Sequence, residues 1–280
     1  MSIAFDIMFW PLVACLLLPG ILIYYGLHIV RREIIFVDLA LAQVAALGTC
    51  LSLMLGHEPN DMASYVLSLG FTFVGALLFA LTRSEGHKRV PQEALIGIVY
   101  VVAAAASIVL LSKGPAHANE ELKRTLVGEV LNVTKTQVWK TFALYAAIAI
   151  VHFIFRKQFL ALSFEPERAA REGMAVRWWD FLFYALFGLV VTSFVQIGGV
   201  LLVFSYLIVP AVCANFLARR LPIMMAIGWG VAILSSTAGL FASYQLDLPT
   251  GAAVVCVLGL ALVLTAIAAR FLPVNPKRAP

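Results

Sequence analysis

Charge is what this sequence has least of. Lys, Arg, Asp and Glu make up 12% of its 280 residues, about half the share usual in a soluble domain. Another 62% of its residues are hydrophobic, which excludes an ordinary soluble globule. Cysteine is also scarce. Cys15, Cys50, Cys213 and Cys256 each lie in an apolar run with no CxxC spacing, so they read as small buried apolar side chains, not disulfides or metal ligands. GxxxxGK[ST] is missing, which rules out ATP hydrolysis by a P-loop on this chain. There is no HExxH and no His/Cys cluster at ligand spacing. His28, His57, His87, His117 and His152 are scattered, and no catalytic triad stands out. These absences argue against an enzyme and against a cofactor held by the chain itself. The net charge of +5 falls between apolar runs and forms no nucleic-acid footprint. A cleavable signal peptide is not expected, since Asp6 precedes the first apolar run and no small-residue cleavage site follows it.

What is present is a series of apolar runs near the ~20 residues that cross a bilayer. They cover about 9–29, 34–55, 62–81, 93–111, 138–155, 223–240 and 252–271. The stretch 181–218 is long enough for two spans, and Gln196-Ile197-Gly198-Gly199 permits a tight reversal between them. Pro210 is expected to bend the second of the two. The segment 125–134 is too short to span and reads as interfacial or re-entrant. The predicted fold is all-α: a polytopic helical membrane protein of about eight to nine transmembrane helices, forming one domain over residues 1–280. Basic residues give the orientation. With the N-terminus outside, fifteen Lys and Arg fall on the cytoplasmic side and five on the other, which puts the C-terminus in the cytoplasm.

The interval 156–177 stands apart, with eight of the chain's 35 Lys, Arg, Asp and Glu residues. Pro166 suits the first position of a helix, where an N–H would lack a partner anyway. Glu165 and Glu167 lie where the positive end of the helix dipole favours anions, and Gly173 supplies a left-handed stop. The pattern predicts a helix of about two turns, too short to be stable unless it leans on something. A short cytoplasmic helix between spans is the part of such a protein that meets a soluble partner.

Asp38 is the leading candidate for chemistry within the membrane, because a carboxylate there is costly and usually faces a cavity or a partner. Its nearness to Arg31-Arg32-Glu33 leaves a capping or pairing role near the surface as the competing reading. Gln43 lies deeper and could contact substrate, with interhelical hydrogen bonding as the alternative. Five residues separate the two, about 140° around a helix, so they need not share a face. Glu93 and Glu129 read as end-of-helix charges. His57, Glu58 and Asp61 read as a solvated loop, and Asp247 before Pro249 as a turn former.

Taken in order, these motifs resemble the permease subunits of ABC importers for zinc, manganese and iron ions. The likeness runs through Arg31-Arg32, Phe36, Ala40-Leu41-Ala42-Gln43 and Gly48, then Glu93-Ala94-Leu95-Ile96-Gly97-Ile98. It continues through Glu165-Pro166-Glu167-Arg168-Ala169 to Gly173, Gly198-Gly199-Val200-Leu201-Leu202, Leu207 to Ala211, and Asp247-Leu248-Pro249-Thr250-Gly251. The resemblance implies a multi-pass permease of a bacterial inner membrane that moves a divalent metal inward, zinc first, with manganese or iron as alternatives. It implies a homodimer with a cytoplasmic ATP-binding subunit, an extracytoplasmic metal-binding protein and the surrounding lipid as partners. Glu165, Pro166, Glu167, Arg168, Arg171 and Gly173 would form the ATPase-coupling helix, and Asp38 and Gln43 would line the translocation route. One departure stands out: the family's Asp and His, four residues apart, fall here on Leu39 and Gln43. Import of a metal chelate, or ATP-independent secondary transport, are the other readings.

Overall fold

The computed structural model describes residues 2–58, 61–83, 90–112 and 130–271, and their regular structure is helical throughout. The polar 113–124 loop, Glu129 and the basic tail lie outside the described residues. α1 (Ser2–Leu17) and α2 (Pro19–Arg32) run on through Leu18, which keeps helical angles. Glu33 then turns left-handed at φ 57°. α3 (Val37–Met54), α4 (Met62–Leu81) and α5 (Gln92–Leu111) follow. The segment read as re-entrant ends in one 3-10 turn, Val130–Asn132, and α6 (Lys135–Ile154) opens at a reciprocal cap. The Thr134 N–H donates to Gln137 Oε1 at 2.9 Å, and the Gln137 N–H donates to Thr134 Oγ1 at 3.3 Å, satisfying two otherwise orphaned donors. α7 (Arg156–Phe164) and α8 (Pro166–Arg171) fill the polar interval, followed by α9 (Val176–Leu217), α10 (Leu221–Leu246) and α11 (Thr250–Phe271).

Eight described helical stretches are long and apolar enough to cross a membrane. The 42-residue α9 is one of them, and it is two spans in one. Gly199 breaks it at φ 72° and ψ 165°, a conformation that costs an L side chain heavily and glycine little. The reversal is visible in the packing. Asp180 bonds Arg32 near one end of α2, while Ala211 and Ala214 cluster with Leu27 on the same stretch. An unbroken helix would hold residues 180 and 214 about 50 Å apart, so the two arms must double back. The described spans therefore number nine, at the upper end of the expectation.

α9 is also the centre. Phe183, Tyr184, Phe187, Val190, Val191 and Phe194 are all buried, and α9 packs against α2, α3, α4, α10 and α11. A helix that is apolar all round belongs in such a position. By contrast α5 and α11 turn Val101, Val102, Ile108, Leu260, Val263 and Leu264 outward, where hydrocarbon is the solvent. Between spans, small residues permit close approach. A Cβ on Gly48 of α3 would meet the Leu67 carbonyl oxygen of α4 at 2.7 Å. Three cysteines are buried as expected. Cys256 is not: it points out from α11 among the outward-facing side chains. Asp247 takes the left-handed cap of α10 at φ 52°, the turn expected there.

Candidate functional site

The interval expected to hold one short helix holds two. α8 has the predicted ends. Pro166 is at its first position, and a pair of bonds closes its last turn: Met174 N–H to Ala169 O and Gly173 N–H to Ala170 O, both 3.1 Å. That arrangement needs a left-handed residue at Gly173, which has φ 75°. α8 buries only Ala169, and its charges stay outside. Arg168 pairs with Glu165 at 2.9 Å and with Glu172 at 2.8 Å, all three well exposed. Arg171 Nε donates to the Glu167 carbonyl at 3.3 Å.

What α8 leans on is α7. Phe159, Leu162 and Ser163 are the buried face of α7, at the i, i+3, i+4 spacing of one helix side. Phe159 stacks on His152 with ring centroids 4.1 Å apart. Ser163 Oγ accepts the Arg32 Nε–H at 2.7 Å and lies 2.8 Å from His28 Nδ1. The Leu162 carbonyl accepts a bond from Arg83 Nη2 at 3.2 Å. The interval 156–177 is thus joined by specific polar contacts to α2 and to the end of α4.

Those same arginines converge on Asp180. Arg32 Nη1 donates to Asp180 Oδ1 at 2.9 Å, and Arg83 Nη1 reaches both carboxylate oxygens. The Asp180 side chain is 0% exposed and that of Arg32 5%. The Arg32 guanidinium also lies 3.9 Å from the Phe183 ring centroid, a desolvated cation–π contact. One aspartate therefore fastens the end of α2, the residues after α4 and the start of α9 directly beneath α7. Breaking such a buried pair typically costs 3–5 kcal/mol, because the arginines would be left without a counter-charge.

Asp38 is buried just as deeply, at 1% exposure, yet its surroundings differ. Oδ1 has no hydrogen-bond partner. Neither Arg31 nor Arg32 takes it up, since Arg32 is committed to Asp180 and Ser163. Pairing with those arginines is therefore absent, whereas the carboxylate does take backbone N–H bonds from Asp38 and Leu39 at the start of α3, as the capping reading requires. Gln43 is buried at 9% exposure and finds no hydrogen-bond partner among the described residues. Glu93 does more than mark a helix end. Its Oε1 accepts the Phe36 N–H at 3.1 Å, tying the start of α5 to the start of α3.

The histidines are less scattered than the chain order indicates. His152 Nε2 lies 2.7 Å from the Tyr25 hydroxyl and Nδ1 lies 3.2 Å from that of Tyr24. His28 packs on Tyr24 with centroids 4.5 Å apart. Both imidazoles pack on Phe183. This aromatic plug fills the space between α2, α6, α7 and α9. At the far loop, Asp61 Oδ2 accepts the Glu58 N–H at 3.2 Å, the local bond of a helix entry. Among the described residues no three His, Cys, Asp or Glu side chains group as a metal centre.

Residues 4–269 match the ABC 3 transport family. The chain belongs to that family. The manganese transport system membrane protein MntC of Listeria innocua is 32% identical over 205 residues, covering 71% of this chain and 72% of that protein. MntC of Halalkalibacterium halodurans is 29% identical over 205 residues, covering 71% and 70%. Among solved structures, PsaBC from Streptococcus pneumoniae in complex with Fab superposes with a TM-score of 0.77 at 24% identity, covering 97% of this chain and 94% of that one. That likeness establishes a shared fold.

In this ABC 3 chain the structure gathers the residues expected to face an ATPase on and around α8, but it does not bring Asp38 and Gln43 into one group. Sequence reasoning missed α7, Asp180, Arg83 and the convergence of His28 and His152 on Tyr24 and Phe183. The Phe159–Leu162–Ser163 spacing was the available signal for α7. For Asp180 it was the isolation of one acid beside Trp178-Trp179, at the head of an apolar run.

Proposed function

We propose that this chain is the membrane-spanning subunit of an ATP-driven importer carrying a divalent transition metal, manganese in the first instance, into the cytoplasm. The observation that carries this reading is the α7–α8 unit. It offers an exposed charged helix to a soluble partner, yet its buried side is joined through Ser163 and Leu162 to Arg32 and Arg83. A push on α8 is therefore delivered to α2, α4 and α9 together through Asp180. ATP hydrolysis belongs to a separate subunit in this reading, and an extracytoplasmic protein delivers the metal.

Two such chains side by side would form the conduit. ATPase closure would draw the α8 helices together and rock the spans about α9, opening the route alternately to either side. The 15-to-5 bias of basic residues supports an α7–α8 unit in the cytoplasm, with the N-terminus outside. Zinc, first among the sequence expectations, gives way to manganese for two reasons. The relatives above carry manganese in their names, and Asp38, the leading acid candidate within the spans, offers hard oxygen donors, which suit manganese better than zinc.

The test is metal uptake into proteoliposomes holding this chain with its ATPase and binding protein. ATP-dependent accumulation of manganese in preference to zinc and iron is expected. Uptake that proceeds without ATP, or no uptake of any free divalent metal, would overturn the proposal.

A further inference from the structure

The starts of α7 and α9 meet at the end of α6, and their outward sides carry cations that nothing nearby matches. Phe155 packs on Trp179 with ring centroids 5.2 Å apart, and Phe159 packs on the same ring at 5.8 Å. These contacts set the first turn of α7 against the first turn of α9. Arg156, Lys157 and Arg177 are all exposed there. Residues 151–164 and 173–179 contain no Asp or Glu. The next acid, Asp180, is sealed and committed to Arg32 and Arg83. The acids of the interval stand on and around α8, where Arg168 holds Glu165 and Glu172. Lys157 and Arg177 take no hydrogen bond or ion pair among the described residues.

Apolar neighbours fix the level of these cations. Phe153 and Ile154 end a helix long and apolar enough to span a membrane, yet both are largely exposed. In a bilayer that exposure is contact with acyl chains. Arg156 holds its guanidinium 4.9 Å from the Phe153 ring centroid, so its stem runs over apolar surface while the charge reaches outward. Trp178 is exposed in the first turn of α9 and supplies the amphipathic ring typical of the headgroup level. A soluble anion needs none of this apolar rim. A soluble protein partner is better met by α8, which turns no large apolar side chain outward.

We propose that Arg156, Lys157, Arg177 and Trp178 form a docking surface for the headgroups of anionic phospholipids, in the leaflet at the α7–α8 end of the spans. Basic side chains at a span end attract anionic lipid, each raising affinity roughly fivefold. The surface lies at the root of α7, the helix on which α8 leans, so bound lipid steadies the footing of α8. Its bearing on transport rests on reading the chain as an ATP-driven importer. The docking itself does not.

The experiment places the full chain in vesicles of phosphatidylcholine and phosphatidylglycerol, with bromine on the acyl chains of one lipid or the other, and reads tryptophan quenching. Brominated phosphatidylglycerol should quench more than brominated phosphatidylcholine at equal content, and the excess should shrink as salt rises. Arg156→Gln, Lys157→Gln and Arg177→Gln together should lower the lipid preference about tenfold or more. The melting temperature should not move, because all three side chains are exposed. Arg156→Lys with Arg177→Lys should keep the preference, since a leaflet reads charge. Equal quenching by the two lipids in the native chain would overturn the surface and leave its cations to a soluble partner. An excess that survives the triple substitution would overturn it as well. So would loss of the excess to inorganic phosphate beyond what sodium chloride of equal ionic strength removes, which would mark a soluble-anion site. Quenching needs neither ATP nor metal, so its outcome and that of the uptake assay are independent.

Discussion

Asp180 and Asp38 are equally hidden, at 0% and 1% exposure, and they are opposites in every other respect. Asp180 gives both oxygens to arginines from two separate parts of the chain. Asp38 keeps Oδ1 unpartnered while arginines stand a few residues away in sequence. Equal burial therefore does not mean equal role. A carboxylate with its full complement of donors is a fastener, since its charge is already spent on holding helices together. One held only by backbone N–H groups at the start of its own helix, with Oδ1 left over, fastens no second helix.

Substitution can break or sharpen that contrast. The largest effect is expected at Asp180. Asp180→Asn should lower unfolding stability by about 3–5 kcal/mol, or prevent accumulation of folded protein, measured by thermal unfolding in detergent. An unchanged melting temperature would remove the distinction. Asp38→Asn should leave stability level or higher while abolishing manganese uptake. A large drop in its melting temperature would make Asp38 a second fastener.

Gly173→Val comes next. A β-branched residue at φ 75° costs about 1–3 kcal/mol locally, and α8 has little packing to absorb it. The variant should insert and fold but hydrolyse ATP without matching uptake. Normal coupling would argue that α8 is not the docking element. The smallest effect on folding is expected from Arg168→Ala. Its partners Glu165 and Glu172 are exposed, and such surface pairs contribute little, so the melting temperature should not move. Affinity for the ATPase subunit should fall, most visibly at low salt, and a pull-down across a salt series reads it.

Much of the fold was legible because the bilayer forces the sequence to advertise it. Every described span is an apolar run of the required length, and Gly198-Gly199 signalled the one reversal inside a helix among the described residues. α8 was legible for a similar reason, since Pro166 and Gly173 are strong local punctuation. α7 was not. Its nine residues include Arg156, Lys157 and Gln158, and its three buried positions are too few to dominate the local pattern. The Asp180 fastening was hidden by distance. Its partners lie 148 and 97 residues away, and arginines at span ends read first as orientation signals. His28 and His152, on different helices, were hidden for the same reason. Asp38 could be nominated from sequence, but that no arginine pairs with it could be seen only once Arg32 was found engaged elsewhere.

The single buried residue of α8, Ala169, carries an implication for inheritance. If α8 is the docking helix proposed above, an element that lends almost nothing to the interior can trade its outward side chains freely while the α7 face stays fixed. Lineages could then exchange one motor subunit for another by changes confined to residues 165–172, without relearning which ion to carry. Grafting those eight positions from a relative should accordingly transfer motor preference and leave cargo preference behind.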